Sequence, residues 1–201
     1  MAMAPKLIRT QKESGEKLKG RSIEIVVGDE QEVFSVHEAL VRSSSVFFDK
    51  AMAGSWKEST QRLVHLPKHD PKIFALYIHW LYCDTMPVFC DEPGPPANLE
   101  YLQLVMAYVL GDKLLDIAFQ NAAIDAIIEK SLSKASDGAR WFPVGEVVEY
   151  AYDNTTDSAP IRELRICTLR TGGPFLLRLA SKLLDKEEFD DESFTPSTYH
   201  S

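Results

Sequence analysis

Short runs of alternating and β-branched residues near the start of the chain predict a small β-sheet. Residues 23–27 are mostly β-branched, and a turn at residues 28–31 separates them from a second alternating run at residues 33–36. These two runs are therefore predicted to form an antiparallel hairpin. A third alternating run, residues 62–66, stops at Pro67 and predicts a third strand.

The stretch from residue 33 to residue 59 is predicted to pass from strand into a pair of short helices. Ser35 and Glu38 have the S-x-x-E spacing of a capping box, so we expect the first helix to begin beside them. Apolar positions then recur at close to helical spacing, but three serines at residues 43–45 interrupt them. Because serine side chains compete for backbone hydrogen bonds and favour caps, one helix is predicted to end and another to begin at these serines.

The remainder of the chain is predicted to be mainly helical. Asp70 and Pro71 provide a favourable N-cap and first residue for a helix that reaches about Tyr82 and is apolar on nearly all sides. Such a helix should be central and buried. The segment 84–98 that follows is rich in proline, glycine and acidic residues, which predicts an exposed loop around a brief strand at residues 86–89.

Apolar residues at helical spacing predict five further helices, at residues 99–110, 113–133, 144–152, 160–170 and 174–184. Gly111 and Asp112 are expected to break the first of these from the second. The apolar stripes of both helices, including the isoleucines between Ile117 and Ile128, are interpreted as core. One such face could instead stay unpaired and serve as an interface.

This order of elements predicts an α+β fold, in which a small sheet is capped by a helical cluster and extra helices follow at the C-terminal end. The predicted organisation has four parts: a flexible basic arm at residues 1–19, a domain at 20–134, a helical extension at 135–184 and an acidic disordered tail at 185–201.

Composition and charge narrow the class of protein. The 201 residues are 45% hydrophobic and 26% charged, which is typical of a soluble globular protein. The formal net charge of −8 argues against direct nucleic-acid binding, because phosphate contacts need clustered Lys and Arg. No apolar run reaches about 18 residues, so no membrane span is predicted. Three widely spaced cysteines favour a reducing compartment, either cytosol or nucleus.

The spacing of the candidate ligands argues against a zinc site. His65 and His69 are four residues apart and Cys83 and Cys90 are seven apart, whereas zinc sites usually contain a close C-x₂₋₄-C pair. His65 lies in a predicted strand and His69 in a turn, so helical spacing does not bring them together. We therefore predict no metal ligands, and Cys83 is interpreted as a small hydrophobe at the end of a buried helix.

No catalytic or cofactor site is predicted. His37, Asp49 and the serines could be imagined as a hydrolase triad, but the sequence has no G-x-S-x-G turn to carry a nucleophile. His37 is instead interpreted as a residue at a helix start that hydrogen-bonds locally. The sequence also lacks the glycine motifs that bind nucleotide phosphates.

Three groups of residues, in order, resemble the BTB/POZ domain, and in particular its fungal members. The first group is H-x-x-L at residues 37–40 with S-S-S-V-F-F at residues 43–48. The second is D-P-K-x-F at residues 70–74, which opens a helix ending in W-L-Y at residues 80–82. The third is the predicted helix pair around residues 107–113. Three motifs in the family's order, on matching element types, make this resemblance specific.

The resemblance covers about residues 20–134 and implies a protein-interaction module, not an enzyme. Members of this family dimerise, and many present substrates to cullin-type ubiquitin ligases. In those adaptors a hydrophobe-x-Glu motif after the helix pair contacts the cullin, and Trp56, Lys57 and Glu58 occupy that place here. An exposed tryptophan would fill a partner pocket while the neighbouring charge orients it. In the alternative interpretation, Trp56 packs beneath the third strand and Glu58 is solvated.

Two other functions stay open from the sequence. The dimer could serve as a transcription-associated scaffold in the nucleus, for which the basic arm is the only hint, or as a plain oligomerisation module that binds no cullin. The expected partners are therefore proteins, including a second copy of the chain, with no cofactor, no membrane and no direct nucleic-acid contact.

Overall fold

The computed structural model describes residues 12–54 and 56–162 of the chain. Lys12–Leu18 forms a 3₁₀ helix in the C-terminal part of the predicted basic arm. Residues 1–11 of that arm lie outside the described residues, as do the acidic tail, the predicted helix at 174–184 and most of the predicted helix at 160–170.

The part of the chain that the structure describes contains a sheet of three strands, and both the hairpin and the third strand predicted from the sequence are confirmed. Strand β1 (Ser22–Val27) lies in the centre, between β2 (Glu32–His37) and β3 (Leu63–Leu66). It pairs antiparallel with β2 and parallel with β3. Alternate residues of β1 point into the core and are buried, namely Ile23, Ile25 and Val27.

Three short helices connect β2 to β3: α1 (Glu38–Ser44), α2 (Val46–Ala51) and α3 (Lys57–Gln61). The predicted boundary at the serines is confirmed, because Ser45 is the N-cap of α2 and its hydroxyl accepts a hydrogen bond from the amide of Phe48 at 3.2 Å. A serine oxygen in this position satisfies an amide that the helix itself cannot pair.

The predicted capping box is wrong. Ser35 lies inside β2, opposite Glu24 of β1, and the N-cap of α1 is His37, which makes no side-chain cap bond. The ladder of the hairpin continues to His37, so the helix begins too late for Ser35 to reach its amides. The carboxylate of Glu38 binds Arg42 and Arg62 instead.

Four longer helices follow within the described residues: α4 (Pro71–Cys83), α5 (Pro95–Lys113), α6 (Ile117–Leu132) and α7 (Glu146–Asp153). Asp70 caps α4 as predicted, since its carboxylate accepts a hydrogen bond from the amide of Lys72 at 2.7 Å. The apolar residues of α4 supply the centre of the core, where Phe74 and Tyr77 are fully buried. Helices α5 and α6 pack against each other, and α7 packs on α5.

Gly111 does not break a helix, contrary to the prediction, because α5 runs through it to Lys113. A Cβ atom at Gly111 would lie 2.8 Å from Cγ and 3.1 Å from the backbone nitrogen of Gln120. The glycine therefore allows α5 and α6 to approach closely. The true break is the turn at residues 114–116, where Leu115 has a φ of 53° and Asp116 caps α6.

The loop before α5 also differs from the prediction. Residues 86–89 form no strand, and α5 begins at Pro95, four residues before the predicted start. The edge strands of the sheet are β2 and β3, and neither of them pairs with residues 86–89. Proline at the first helical position and Gly94 before it, with a φ of 77°, account for the early start of α5.

Most of the apolar stripe of α6 is core, as predicted. Ile124, Ile127 and Ile128 are buried, but Ile117 at the start of the helix is 70% exposed. The first turn of α6 therefore adds an apolar side chain to the surface of the domain.

Candidate functional site

Trp56 and Glu58 lie on the same short element at the surface. Trp56 is the N-cap of α3 and is 69% exposed, so it does not pack beneath β3. Its carbonyl oxygen accepts hydrogen bonds from the amide and the hydroxyl of Thr60, at 3.0 and 3.1 Å. Glu58 is in the first turn and is partly buried. The side chain of Lys57, the third residue of the predicted motif, lies outside the described part of the chain.

A chain of ion pairs fixes the C-terminal end of α3. Arg62 ends the helix with a left-handed φ of 55°, and its guanidinium binds Glu38 on α1. Glu38 also binds Arg42, whose Nη2 lies 2.8 Å from Asp49 on α2. Hydrogen bonds to Asp49 and Glu38 raise the pKa of Arg42. The pairs are partly exposed and contribute modestly to stability, but they hold α3 at a set position beside α1 and α2.

The serines of the 43–48 motif form a buried junction with the start of α6, and we call this contact the serine junction. Ser44 donates a hydrogen bond to the fully buried carboxylate of Asp116 at 2.5 Å, and Tyr77 donates another at 3.0 Å. Ser45 donates to the carbonyl of Leu114 at 2.6 Å. Asp116 in turn caps α6 by accepting from the amide of Phe119.

The hydrogen bonds of the serine junction stabilise the fold. Burial and the neighbouring Asp116 raise the pKa of the Tyr77 hydroxyl, which keeps it protonated and able to donate. Each donor and the carboxylate has a partner, so the serines are held in place and are not presented to a substrate. The serines are predictable from the sequence as a helix boundary, but Asp116 is not, because more than seventy residues separate it from Ser44.

His37 makes a long-range contact and not the local hydrogen bond that was predicted. Its Nδ1 lies 2.7 Å from the hydroxyl oxygen of Tyr82, and its backbone amide donates to the same oxygen at 3.1 Å. Tyr82 is near the end of α4, so the pair connects the start of α1 to that helix. His37 is thus part of the scaffold.

The residues weighed as metal ligands are not assembled into a site. Within residues 12–54 and 56–162, no group of three or more His, Cys, Asp or Glu side chains could hold a metal ion. Neither ring nitrogen of His69 has a hydrogen-bond partner among the described residues. Cys83 ends α4, as predicted, and its side chain is exposed to solvent. The described helices also include none that combines the length and the hydrophobicity required to cross a membrane.

A second surface feature is an exposed apolar patch formed by Val46, Leu115 and Ile117. The amide of Val46 donates a hydrogen bond to the carbonyl of Leu115 at 3.4 Å, which places the start of α2 against the turn before α6. The sequence predicts Ile117 in the core, whereas the structure exposes it.

Comparison with known protein families agrees with this architecture. The model of the BTB/POZ domain matches residues 18–110, a segment that contains all three strands, the helices α1 to α4 and most of α5. The match is to the domain in general and does not test the resemblance to fungal members. No curated protein matches the chain. Residues 18–110 therefore carry a BTB/POZ domain, an α+β protein-interaction module with a small three-stranded sheet and a cluster of helices.

Proposed function

We propose that this chain is a self-associating interaction module, not an enzyme, and that it contacts a cullin-type ubiquitin ligase through Trp56 and Glu58. The exposure of Trp56 at the start of α3 carries the proposal of a cullin contact. A large aromatic side chain with a fixed backbone is typical of the residues that dominate interface energies. The proposed setting is the cytosol or the nucleus, with protein partners only.

Capture of a purified cullin N-terminal domain on the immobilised full chain tests the contact. We expect Trp56→Ala with Glu58→Ala to weaken capture by about thirtyfold, which corresponds to roughly 2 kcal/mol for the loss of a hot spot. The matched control is Trp141→Ala with Glu146→Ala, which removes an exposed tryptophan and an exposed glutamate from another surface. Capture by the control should equal that of the unmodified chain.

Failure of the unmodified chain to bind any cullin would contradict the adaptor function and leave a plain oligomerisation module. Affinity capture from a native lysate, followed by mass spectrometry, would then separate the remaining alternatives. Chromatin proteins without cullin would favour the nuclear scaffold, whereas recovery of the chain alone would favour oligomerisation.

The apolar patch of Val46, Leu115 and Ile117 supports self-association, because exposed apolar side chains gathered in one place commonly mark interfaces. Light scattering of the full chain should give twice the monomer mass. Leu115→Lys with Ile117→Lys should shift the chain to the monomer. Leu99→Lys, at an exposed leucine near the other end of α5, is the control and should remain dimeric. A monomeric unmodified chain would contradict this part of the proposal.

A further inference from the structure

A groove with an apolar floor lies between α4, α5, α6 and the loop before α5, and we call it the α6 groove. Its volume is about 520 Å³. Among the described residues, seven apolar side chains line it: Trp80, Met86, Val88, Phe89, Leu104, Ala122 and Ala126. Phe89 stands at its edge and is 80% exposed. Leu104 is fully buried and the other apolar residues are at least partly exposed, so an apolar surface remains open to solvent where a partner segment could cover it.

The loop that forms one wall of the α6 groove is fixed to both long helices. Glu100 on α5 and Lys130 on α6 form a buried ion pair, with Nζ 2.6 Å from Oε2. The amide of Cys90 donates to Glu100 at 2.9 Å, and the carbonyl of Cys90 accepts from Lys130 at 2.6 Å. The backbone next to Phe89 is therefore held from two sides, which keeps the groove open in a defined shape.

The rim of the α6 groove carries unbalanced negative charge. Asp84, Asp125 and Glu129 line it and have no ion pair or side-chain hydrogen bond within the part of the chain that the structure describes. Asp125 and Glu129 are four residues apart on α6, where like charges repel. Among the described residues that line the groove, Lys130 is the one cation, and it is paired with Glu100. Partial burial raises the pKa of Asp125, so a bound cation would stabilise its charged form.

The segment of this chain that complements the groove is residues 163–184, which lie outside the described residues. Four of its residues are basic, Arg165, Arg170, Arg178 and Lys182, and only Glu163 is acidic, in a chain whose net charge is −8. Its other positions are rich in leucine. Basic side chains match the carboxylates of the rim, and leucines match the apolar floor.

The segment is long enough to reach the groove. Sixteen residues separate Arg162 from Arg178, which corresponds to about 24 Å if the chain were helical and about 50 Å if it were extended. A domain of this size has a radius of gyration of roughly 15 Å and therefore a diameter of about 39 Å, so the segment spans the domain when it is extended but not as one continuous helix. We propose that residues 163–184 dock in the α6 groove of the same molecule, with their basic side chains on Asp84, Asp125 and Glu129.

Hydrogen–deuterium exchange on the full chain tests this docking. The amides of residues 163–184 should be protected, and Asp125→Asn with Glu129→Gln should speed their exchange at least tenfold. Arg170→Gln with Arg178→Gln should have the same effect. The control is Asp29→Asn with Glu30→Gln in the turn between β1 and β2, which removes two exposed carboxylates far from the groove in sequence and should leave the protection unchanged. A thermal melt confirms that each variant is folded.

Three results would overturn the proposal. The first is a lack of protection in the unmodified chain. The second is protection that survives the Asp125 and Glu129 changes, because the segment would then be held elsewhere, for instance by the acidic residues that follow it. The third is protection that disappears on hundredfold dilution, because the segment would then come from a second copy. Cullin capture by the same variants is a separate measurement, so failure here leaves the proposed contact at Trp56 intact.

Discussion

The serine junction and the Trp56–Glu58 segment both belong to the stretch from residue 33 to residue 59, yet they meet opposite environments. Ser44 and Ser45 lie against the start of α6, where Asp116 is completely buried and fully hydrogen-bonded. Trp56 stands 69% exposed at the start of α3. The first half of the stretch therefore holds the fold together, and its last residues are available to a partner.

This difference separates effects on stability from effects on binding. When a buried group loses its partner, the remaining donors cannot turn to water, so the full cost of desolvation appears in the free energy of unfolding. When an exposed side chain is removed, water takes its place. Variants of the serine junction should therefore lose stability, whereas variants of the Trp56–Glu58 segment should lose binding.

The largest expected effect is at the serine junction. Asp116→Ala removes the acceptor of Ser44, Tyr77 and the amide of Phe119 and should lower the free energy of unfolding by about 4 kcal/mol. Urea denaturation measures the change. Ser43→Ala, at the neighbouring exposed serine, is the control and should cost less than about 0.5 kcal/mol. A loss below about 1 kcal/mol for Asp116→Ala would contradict the structural importance of the junction.

The Glu100–Lys130 ion pair is a second buried site at which the loss of one partner should lower stability. Lys130→Met leaves Glu100 charged and buried without its cation, and should cost about 3 kcal/mol in urea denaturation. Glu100→Leu combined with Lys130→Met removes both charges and should recover most of that loss. If the double variant were as unstable as the single one, the cost would come from packing and not from the unpaired charge.

His69 represents an intermediate environment, with a partly buried ring in a small cavity that Lys68, Asp70, Lys113 and Tyr150 also line. Burial of the ring, together with the charge of Lys113, lowers its pKa from 6.5. The unfolded chain then binds a proton more readily than the folded chain, so stability is lost as the pH falls below about 6.5. The free energy of unfolding should decrease between about pH 7.5 and 5.5, and less so in His69→Gln. Equal decreases in both proteins would show that His69 is not responsible.

The smallest effect on stability is expected at the exposed site. Trp56→Ala with Glu58→Ala should change the free energy of unfolding by less than about 0.5 kcal/mol, because the helix keeps its backbone hydrogen bonds and Trp56 has little surface buried. Thermal melts of this variant and of Asp116→Ala, compared side by side, would test the difference directly. A large destabilisation at Trp56 would mean that the residue belongs to the core after all.

Elements that depend on neighbouring residues in the sequence were largely predictable. The alternation of β1 and β2, the cap at Asp70 and the boundary at Ser45 follow from periodicity and from side chains that bond to their own backbone. The capping box failed because Ser35 is taken into the strand ladder, which is a tertiary contact. Gly111 was misinterpreted for a similar reason: the need for glycine comes from Gln120 on the next helix.

The candidate sites were likewise only partly predictable from the sequence. The sequence alone determined an α+β order of elements, the order of the motifs that resemble the BTB/POZ domain, and Trp56 and Glu58 as a candidate contact. The tertiary structure alone brought Asp116 to Ser44, gathered Val46, Leu115 and Ile117 on one surface, and opened the α6 groove beside the Glu100–Lys130 pair. The physical reason is that periodicity and capping act over a few residues, whereas burial and pairing join side chains distant along the chain.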